Sequence, residues 1–153
     1  MMANSSSKTS ESILLLNFET GDIIMKSVLI TGASRGLGYC LAEKYAAKGF
    51  YVIACARNIN SEKLKNLKIT YKDSIQLVAM DVSDDKSVEK AAEEVKQSIQ
   101  ALDIIINNAG VHFNDTDNEL ESVNLDHCLE TFNINTLGAL RVSKAFVSLL
   151  EDH

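Results

Sequence analysis

Three glycines at the spacing G-x-x-x-G-x-G, in Gly32-Ala33-Ser34-Arg35-Gly36-Leu37-Gly38, follow directly on the β-branched run Ser27-Val28-Leu29-Ile30-Thr31. A loop of this kind suits an anion. If it opens a helix, the first backbone N–H groups have no partner within the helix, and the positive end of the helix dipole adds to them. The chemistry indicated is phosphate binding, and without G-K-[ST] the loop is not a P-loop. A purely structural turn is the alternative, but three glycines spaced this way after an apolar strand are more specific to nucleotides. Other polar groups stand where apolar runs end: Arg57, Asp81-Val82 and Asn107-Asn108-Ala109-Gly110. Asn135 differs, because it falls within an otherwise apolar helical stripe. A polar side chain there costs stability unless it has partners, so it is either a satisfied structural residue or part of a site.

To act together, these groups need elements that carry them to one edge. Val28, Leu29 and Ile30 form a continuous apolar run, the pattern of a strand buried on both faces. From Leu37 the apolar residues Leu37, Cys40, Leu41 and Tyr45 mark one stripe of a helix that Gly49 can end. A second strand is expected at Phe50–Ala56, a short helix around Leu64 and Leu67, and a third strand at Ile75–Met80. Ser83 to Ser87 offers N-caps for a helix with its stripe at Val88, Ala91, Ala92, Val95 and Ile99. Asp103–Ile106 reads as a fourth strand, residues 111–123 as a solvated acidic loop. A long helix then carries Leu125, Cys128, Leu129, Phe132, Ala139, Val142, Phe146 and Leu149 on one face.

Strands alternating with helices of ten or more residues imply right-handed βαβ units. The fold class is therefore α/β, a doubly wound parallel sheet of Rossmann-like type covered on both faces. Such sheets bind ligands beyond the carboxyl ends of their strands, where strand order reverses. Gly32 to Gly38, Arg57, Asp81-Val82 and Asn107 to Gly110 all fall on that edge.

Composition narrows the partners. The chain has 153 residues, 46% hydrophobic and 24% charged, enough for one domain with a substantial core. A net charge of −6 without a basic cluster argues against nucleic acid or an anionic membrane surface, and no run reaches the length of a membrane span. Cys40, Cys55 and Cys128 are odd in number and set in apolar patterns, as expected of reduced thiols at or near the core in a reducing, cytoplasmic compartment. His112, His127 and His153 have no metal-ligand spacing, so no metal is expected. Residues 1–25, with Ser-rich Asn4–Ser12 and an apolar patch at Ile13–Leu16 too short for a secretory signal, read as a disordered extension. The domain is expected at residues 26–153.

Taken together, the motifs resemble the short-chain dehydrogenase/reductase family, in its classical branch. Thr31 to Gly38 matches T-G-x-x-x-G-x-G, Asp81-Val82 follows the third strand, Asn107 to Gly110 matches N-N-A-G, and Asn133-Ile134-Asn135-Thr136-Leu137-Gly138 matches N-x-N-x-x-G. The resemblance runs from Lys26 to the C-terminus, about five-sixths of the chain. It implies an oxidoreductase that moves hydride between a nicotinamide dinucleotide and a small carbonyl or alcohol. Gly32, Ser34, Arg35, Gly36, Leu37 and Gly38 would hold the pyrophosphate, Asp81 and Val82 the adenine, and Asn107, Asn108, Ala109 and Gly110 would line the cleft and brace the sheet. Asn135 would be the catalytic asparagine, organising a water in the proton relay.

Charge points to the cofactor. An acid after the second strand serves the ribose 2′-OH of NAD, whereas a basic residue accommodates a 2′-phosphate. Here that place holds Arg57, with no acid until Glu62, and Arg35 adds a second guanidinium from the loop. NADP(H) is expected over NAD(H). Both arginines being solvated surface residues is the alternative reading.

The resemblance also has a gap. The family's Ser, Tyr and Lys have no counterpart: the residues four places after Tyr39, Tyr45, Tyr51 and Tyr71 are Glu43, Gly49, Cys55 and Ile75. The chain stops at His153, about where the family begins its fifth strand, so it reads as the cofactor-binding half, truncated and inactive by itself. Ile104-Ile105-Ile106 would then be an apolar sheet edge, and the family's homo-oligomer would be compromised. A noncatalytic NADP-binding or regulatory module, or a fragment without independent activity, is the alternative function.

Overall fold

The computed structural model describes residues 14–16, 23–113 and 119–150. Within the expected extension, β1 (Leu14–Leu16) and β2 (Ile23–Met25) pair antiparallel, Leu14 opposite Met25. The remainder of residues 1–22 lies outside the described residues, and with it the expectation of disorder there.

The main sheet follows the pattern read from the sequence. It contains β3 (Ser27–Thr31), β4 (Tyr51–Ala56), β5 (Ile75–Ala79) and β6 (Ile104–Ile106), all parallel, in the order β5-β4-β3-β6. Three helices connect them: α1 (Gly36–Ala47), α2 (Glu62–Tyr71) and α3 (Asp85–Ser98). The chain steps outward from β3 to β4 to β5 and then returns to the other side of β3, which puts the reversal of strand order between β3 and β6.

Side-chain alternation sorts the core into two layers. Leu29, Ile53 and Val78 face Val88, Ala91, Ala92 and Val95 of α3 together with Val142 and Phe146. Val28, Ile30, Val52, Ala54 and Ile75 face Ala42 and Ala46 of α1 and Leu64 and Leu67 of α2. Caps sit where short polar residues allow them: the Ser61 hydroxyl accepts from the Leu64 N–H, and Asp84 accepts from the Lys86 N–H at the start of α3. At the start of the sheet, the Asp103 carboxylate accepts from the Ser27 N–H at 2.7 Å, and Ser27 Oγ accepts from the Asp103 N–H at 3.2 Å. These bonds pin β6, which ends the sheet on one side, in register with β3.

Four expectations need correction. The buried stripe of α1 is Gly38, Ala42 and Ala46, whereas Leu37 and Cys40 are exposed. Small residues at four-residue spacing let the helix lie close on the sheet, and apolar character alone misassigns the face. The long final helix is also not uniform. It comprises α4 (Leu125–Phe132), a π turn at Asn133–Leu137, α5 (Gly138–Phe146) and a 3₁₀ turn at Val147–Leu149. The wide turn shifts the helical phase, so Val142, Phe146 and Leu149 are buried while Leu125, Leu129 and Phe132 are exposed. Asn135 in consequence is exposed and does not lie on a buried face. Among the cysteines, only Cys55 is a core thiol, Cys128 being half-buried.

Phe146 is completely buried against the sheet. Phe146→Ala is expected to cost about 3–5 kcal/mol, read as a lower midpoint in urea unfolding.

Candidate functional site

The site is built around the end of β3, where Thr31 joins two loops. Its Oγ1 accepts from the backbone N–H groups of Asn108 at 3.0 Å and Ala109 at 2.9 Å. The Asn108 amide nitrogen donates to the Thr31 carbonyl at 2.9 Å and, more weakly, to that of Gly32 at 3.4 Å. The N-N-A-G segment is thus fastened to the glycine loop at the point where strand order reverses. On the other side, the Ala33 N–H donates to the Cys55 carbonyl at 2.9 Å and continues the pairing of β3 with β4.

Glycine is required here for two separate reasons. Gly32 and Gly36 have φ of +68° and +56°, a region costly for residues with a Cβ. Gly38 is needed for closeness: a Cβ there would lie 2.4 Å from the Gly32 carbonyl oxygen and 2.5 Å from Asn108 Nδ2. Space opens on the solvent side of the loop, since a Cβ on Gly36 would meet nothing within 4 Å. The helix start is prepared for an anion. Arg35 at the N-cap makes no side-chain capping bond, and the first turn of α1 contains no acid.

A cleft of about 520 Å³ lies along this edge. Its lining brings together most residues predicted from the sequence: Gly32, Ser34, Arg35 and Gly36, then Arg57, then Asp81 and Val82, then Asn108, Ala109 and Gly110. Leu37, Gly38, Asn107 and Asn135 are not part of the lining. Leu37 is 69% exposed, and Gly38 is buried behind the loop. Asn107 donates to Ser143 Oγ at 3.1 Å and so ties the end of β6 to α5. Asn135 forms a two-way clamp on one residue, accepting from the Val111 N–H and donating to the Val111 carbonyl, each at 2.8 Å. Sequence reasoning did not find Met80, Val111 or Ile134, which also line the cleft. Nothing in spacing marks them, because each is an ordinary apolar residue beside a recognised motif or, for Ile134, at one of its unspecified positions.

The electrostatics of the rim favour a charged Asp81. Burial alone would raise its pKa, but two bonds from Ser83, N–H at 3.0 Å and Oγ at 2.7 Å, together with the positive Arg57, hold it below the usual carboxylate value. Burial pushes the Cys55 thiol well above its usual range, so at the floor of the cleft it stays protonated and unreactive. Among the described residues no group of His, Cys, Asp and Glu could hold a metal ion, and no helix is long and apolar enough to cross a membrane.

A doubly wound parallel sheet, with a glycine loop opening a helix at the reversal of strand order, defines a Rossmann-like dinucleotide-binding domain. The family model for short chain dehydrogenases matches residues 26–153, and the chain belongs to that family. It is 37% identical over 129 residues to an uncharacterised oxidoreductase of Schizosaccharomyces pombe, covering 82% of this chain and 40% of the relative. It is 35% identical over 131 residues to the NADPH-dependent pterin aldehyde reductase of Arabidopsis thaliana, covering 84% of this chain and 52% of that protein. Among solved structures it is similar to NADPH-bound carbonyl reductase from chicken fatty liver, with a TM-score of 0.72 and 27% identity over 82% of this chain and 51% of the other. The chain therefore spans between two-fifths and about half of the length of these relatives.

Two outcomes test the site. Thr31→Val keeps the shape but leaves the N–H groups of Asn108 and Ala109 without their acceptor, at about 1–3 kcal/mol each, and should lower the thermal midpoint. For Asp81, the pKa is lower folded than unfolded, so its stabilising contribution is fully present above the ordinary carboxylate pKa. It is lost as pH falls through the lower folded value. Asp81→Asn should therefore flatten the acid side of the stability-pH curve and leave its shape unchanged from neutral pH upward.

Proposed function

We propose that the cleft binds NADP(H) in preference to NAD(H), and that this chain is the cofactor-binding half of an oxidoreductase acting on a small carbonyl or alcohol. The observation that carries the reading is the placement of Arg35 and Arg57 on one rim beside the glycine loop, with no acid on the end of β4 to take a ribose 2′-OH. Two guanidinium forks suit a 2′-phosphate, since each offers paired donors in a fixed plane. The pyrophosphate would rest on Gly32, Ser34, Gly36 and the first N–H groups of α1, and the adenine would lie toward Asp81 and Val82. Asn108, Ala109 and Gly110 would form the wall that continues toward the nicotinamide. When bound, the cofactor supplies the hydride. Gly38 and Asn107 would support these walls from behind or beside them, and Asn135 would hold the chain at Val111.

A volume of about 520 Å³ is in the range of small-molecule and cofactor sites, which supports a ligand of this size. The names of the pterin aldehyde reductase and the carbonyl reductase, both NADPH-linked, agree with the cofactor choice. Three free cysteines, one deeply buried, accord with a reducing, cytoplasmic setting.

A second reading, binding without turnover, has one specific observation in its favour: no Tyr in the chain is followed four residues later by Lys. Loss of general acid catalysis costs roughly 10²–10⁴-fold in rate. The two readings separate on adding a carbonyl substrate panel to the NADPH-bound chain and following cofactor oxidation.

Arg57→Asp tests the cofactor assignment. The ratio of NADPH to NADH affinity, measured by fluorescence titration, should fall by about tenfold or more. An unchanged ratio would leave Arg57 as a solvated surface residue.

A further inference from the structure

Four bonds from one guanidinium, that of Arg141 near the start of α5, converge behind the cleft. Nε donates to Asp85 Oδ1 at 2.8 Å, Nη1 to the carbonyls of Val82 and Asn133 at 3.2 Å each, and Nη2 to Asn133 Oδ1 at 2.7 Å. The partners come from three different segments: the loop after β5, the first turn of α3, and the π turn. Two of these segments supply cleft wall. Val82 lines it directly, and Asn133 is followed by Ile134, which also lines it. One residue further, Asn135 grips Val111, the last lining residue beyond Gly110.

Backbone packing narrows what else could hold these walls. A Cβ on Gly138 would lie 2.9 Å from Val82 Cγ2, so the start of α5 sits directly on Val82. The π turn is also bonded from outside. Its wide bond runs from the Gly138 N–H to the Asn133 carbonyl, the same oxygen that Arg141 reaches. A planar fork can serve several acceptors in fixed directions, which the point charge of a lysine cannot. The ion pair with Asp85 is the smaller part of this arrangement, because the Asp85 side chain is 75% exposed against 19% for Arg141.

We infer that Arg141 is a positioning residue for the cofactor cleft, fixing the wall at Val82 relative to the wall formed by Ile134 and Val111. The inference rests on the reading that this cleft takes a nicotinamide dinucleotide. Arg141 is not part of the cleft lining and acts through Val82 and the π turn.

The test uses the full 153-residue chain as wild type, Arg141→Met, Arg141→Lys and Asp85→Asn. NADPH and 2′,5′-ADP are titrated, and hydrogen exchange is followed in residues 80–84 and 109–112, with 51–56 in β4 as the internal reference. Arg141→Met is expected to weaken NADPH about tenfold and to raise exchange in 80–84 and 109–112 while 51–56 stays unchanged. Arg141→Lys, which keeps the charge without the fork, should behave like Arg141→Met, and Asp85→Asn should stay within about twofold of wild type. A folded Arg141→Met with undiminished affinity, or exchange raised equally in all three segments, would overturn the inference. If Arg141→Met does not fold, Arg141→Lys decides by the same two readouts. If wild type binds neither NADPH nor 2′,5′-ADP, the cofactor reading fails. The exchange pattern then still decides whether Arg141 holds these walls: a selective rise supports it, a uniform one overturns it.

Discussion

The close approach of Gly38 to the Gly32 carbonyl and to Asn108 is the constraint on which the rest of the site depends. With less than 3 Å available for any Cβ, helix α1 can begin directly against the end of β3 only because Gly38 has none. That contact aims the helix start at the cleft. Thr31 and Asn108 complete the junction: the Thr31 hydroxyl accepts from the N–H groups of Asn108 and Ala109, and the Asn108 side-chain amide donates to the carbonyls of Thr31 and Gly32. β3 and β6 pair directly, but beyond their ends the chain leaves toward opposite faces, to α1 on one and toward α5 on the other, and these bonds hold the two loops together where the strand pairing has ended. An anion site needs donors fixed in advance, and this junction fixes them.

Packing and site are linked through the same elements. The strand whose alternation sends Leu29 to one layer and Val28 and Ile30 to the other ends at Thr31, which therefore stands at the carboxyl edge of the sheet. Helix α5 buries Val142 and Phe146 in the first layer, while its start lies on Val82 and its Arg141 ties Val82 to the π turn. The π turn has a structural cost, since it breaks the regular ladder and exposes Leu125, Leu129 and Phe132. In return, it turns Asn135 toward Val111 and Ile134 into the cleft wall. Irregular turns of this type are concentrated at functional sites.

Much of the fold was legible in the sequence because the signals were local. Continuous apolar runs at Val28–Ile30 and Ile53–Ala56, punctuated by glycine and polar residues, specify buried parallel strands without reference to distant contacts. The stripe of α3 was legible for the same reason, as its Val88, Ala91, Ala92 and Val95 keep strict helical spacing. The stripe of α1 was misread, because the face that packs closest uses Gly38, Ala42 and Ala46, residues that carry little hydrophobic signal. Leu37 and Cys40 look like core from their chemistry and are exposed by geometry.

By itself, the sequence determined the strand and helix order from β3 to β6, the parallel sheet, the family membership that its four motifs imply, and the residues that reach the carboxyl edge, but neither the β1–β2 pair nor the π turn that divides the last helix. These follow from periodicity and from glycine and polar residues at fixed spacing, which act over a few residues. Only the tertiary structure decided which of those edge residues face the cleft and which stand behind it. Asn107 turns to Ser143 and Asn135 to Val111, partners 36 and 24 residues away that no local pattern names. Arg141 was silent for the same reason: its bonds to Asp85, Val82 and Asn133 exist only once α3, α5 and the loop after β5 are packed together. A side chain's partners across the fold depend on backbone placement to within a few tenths of an ångström, and spacing along the chain does not contain that information.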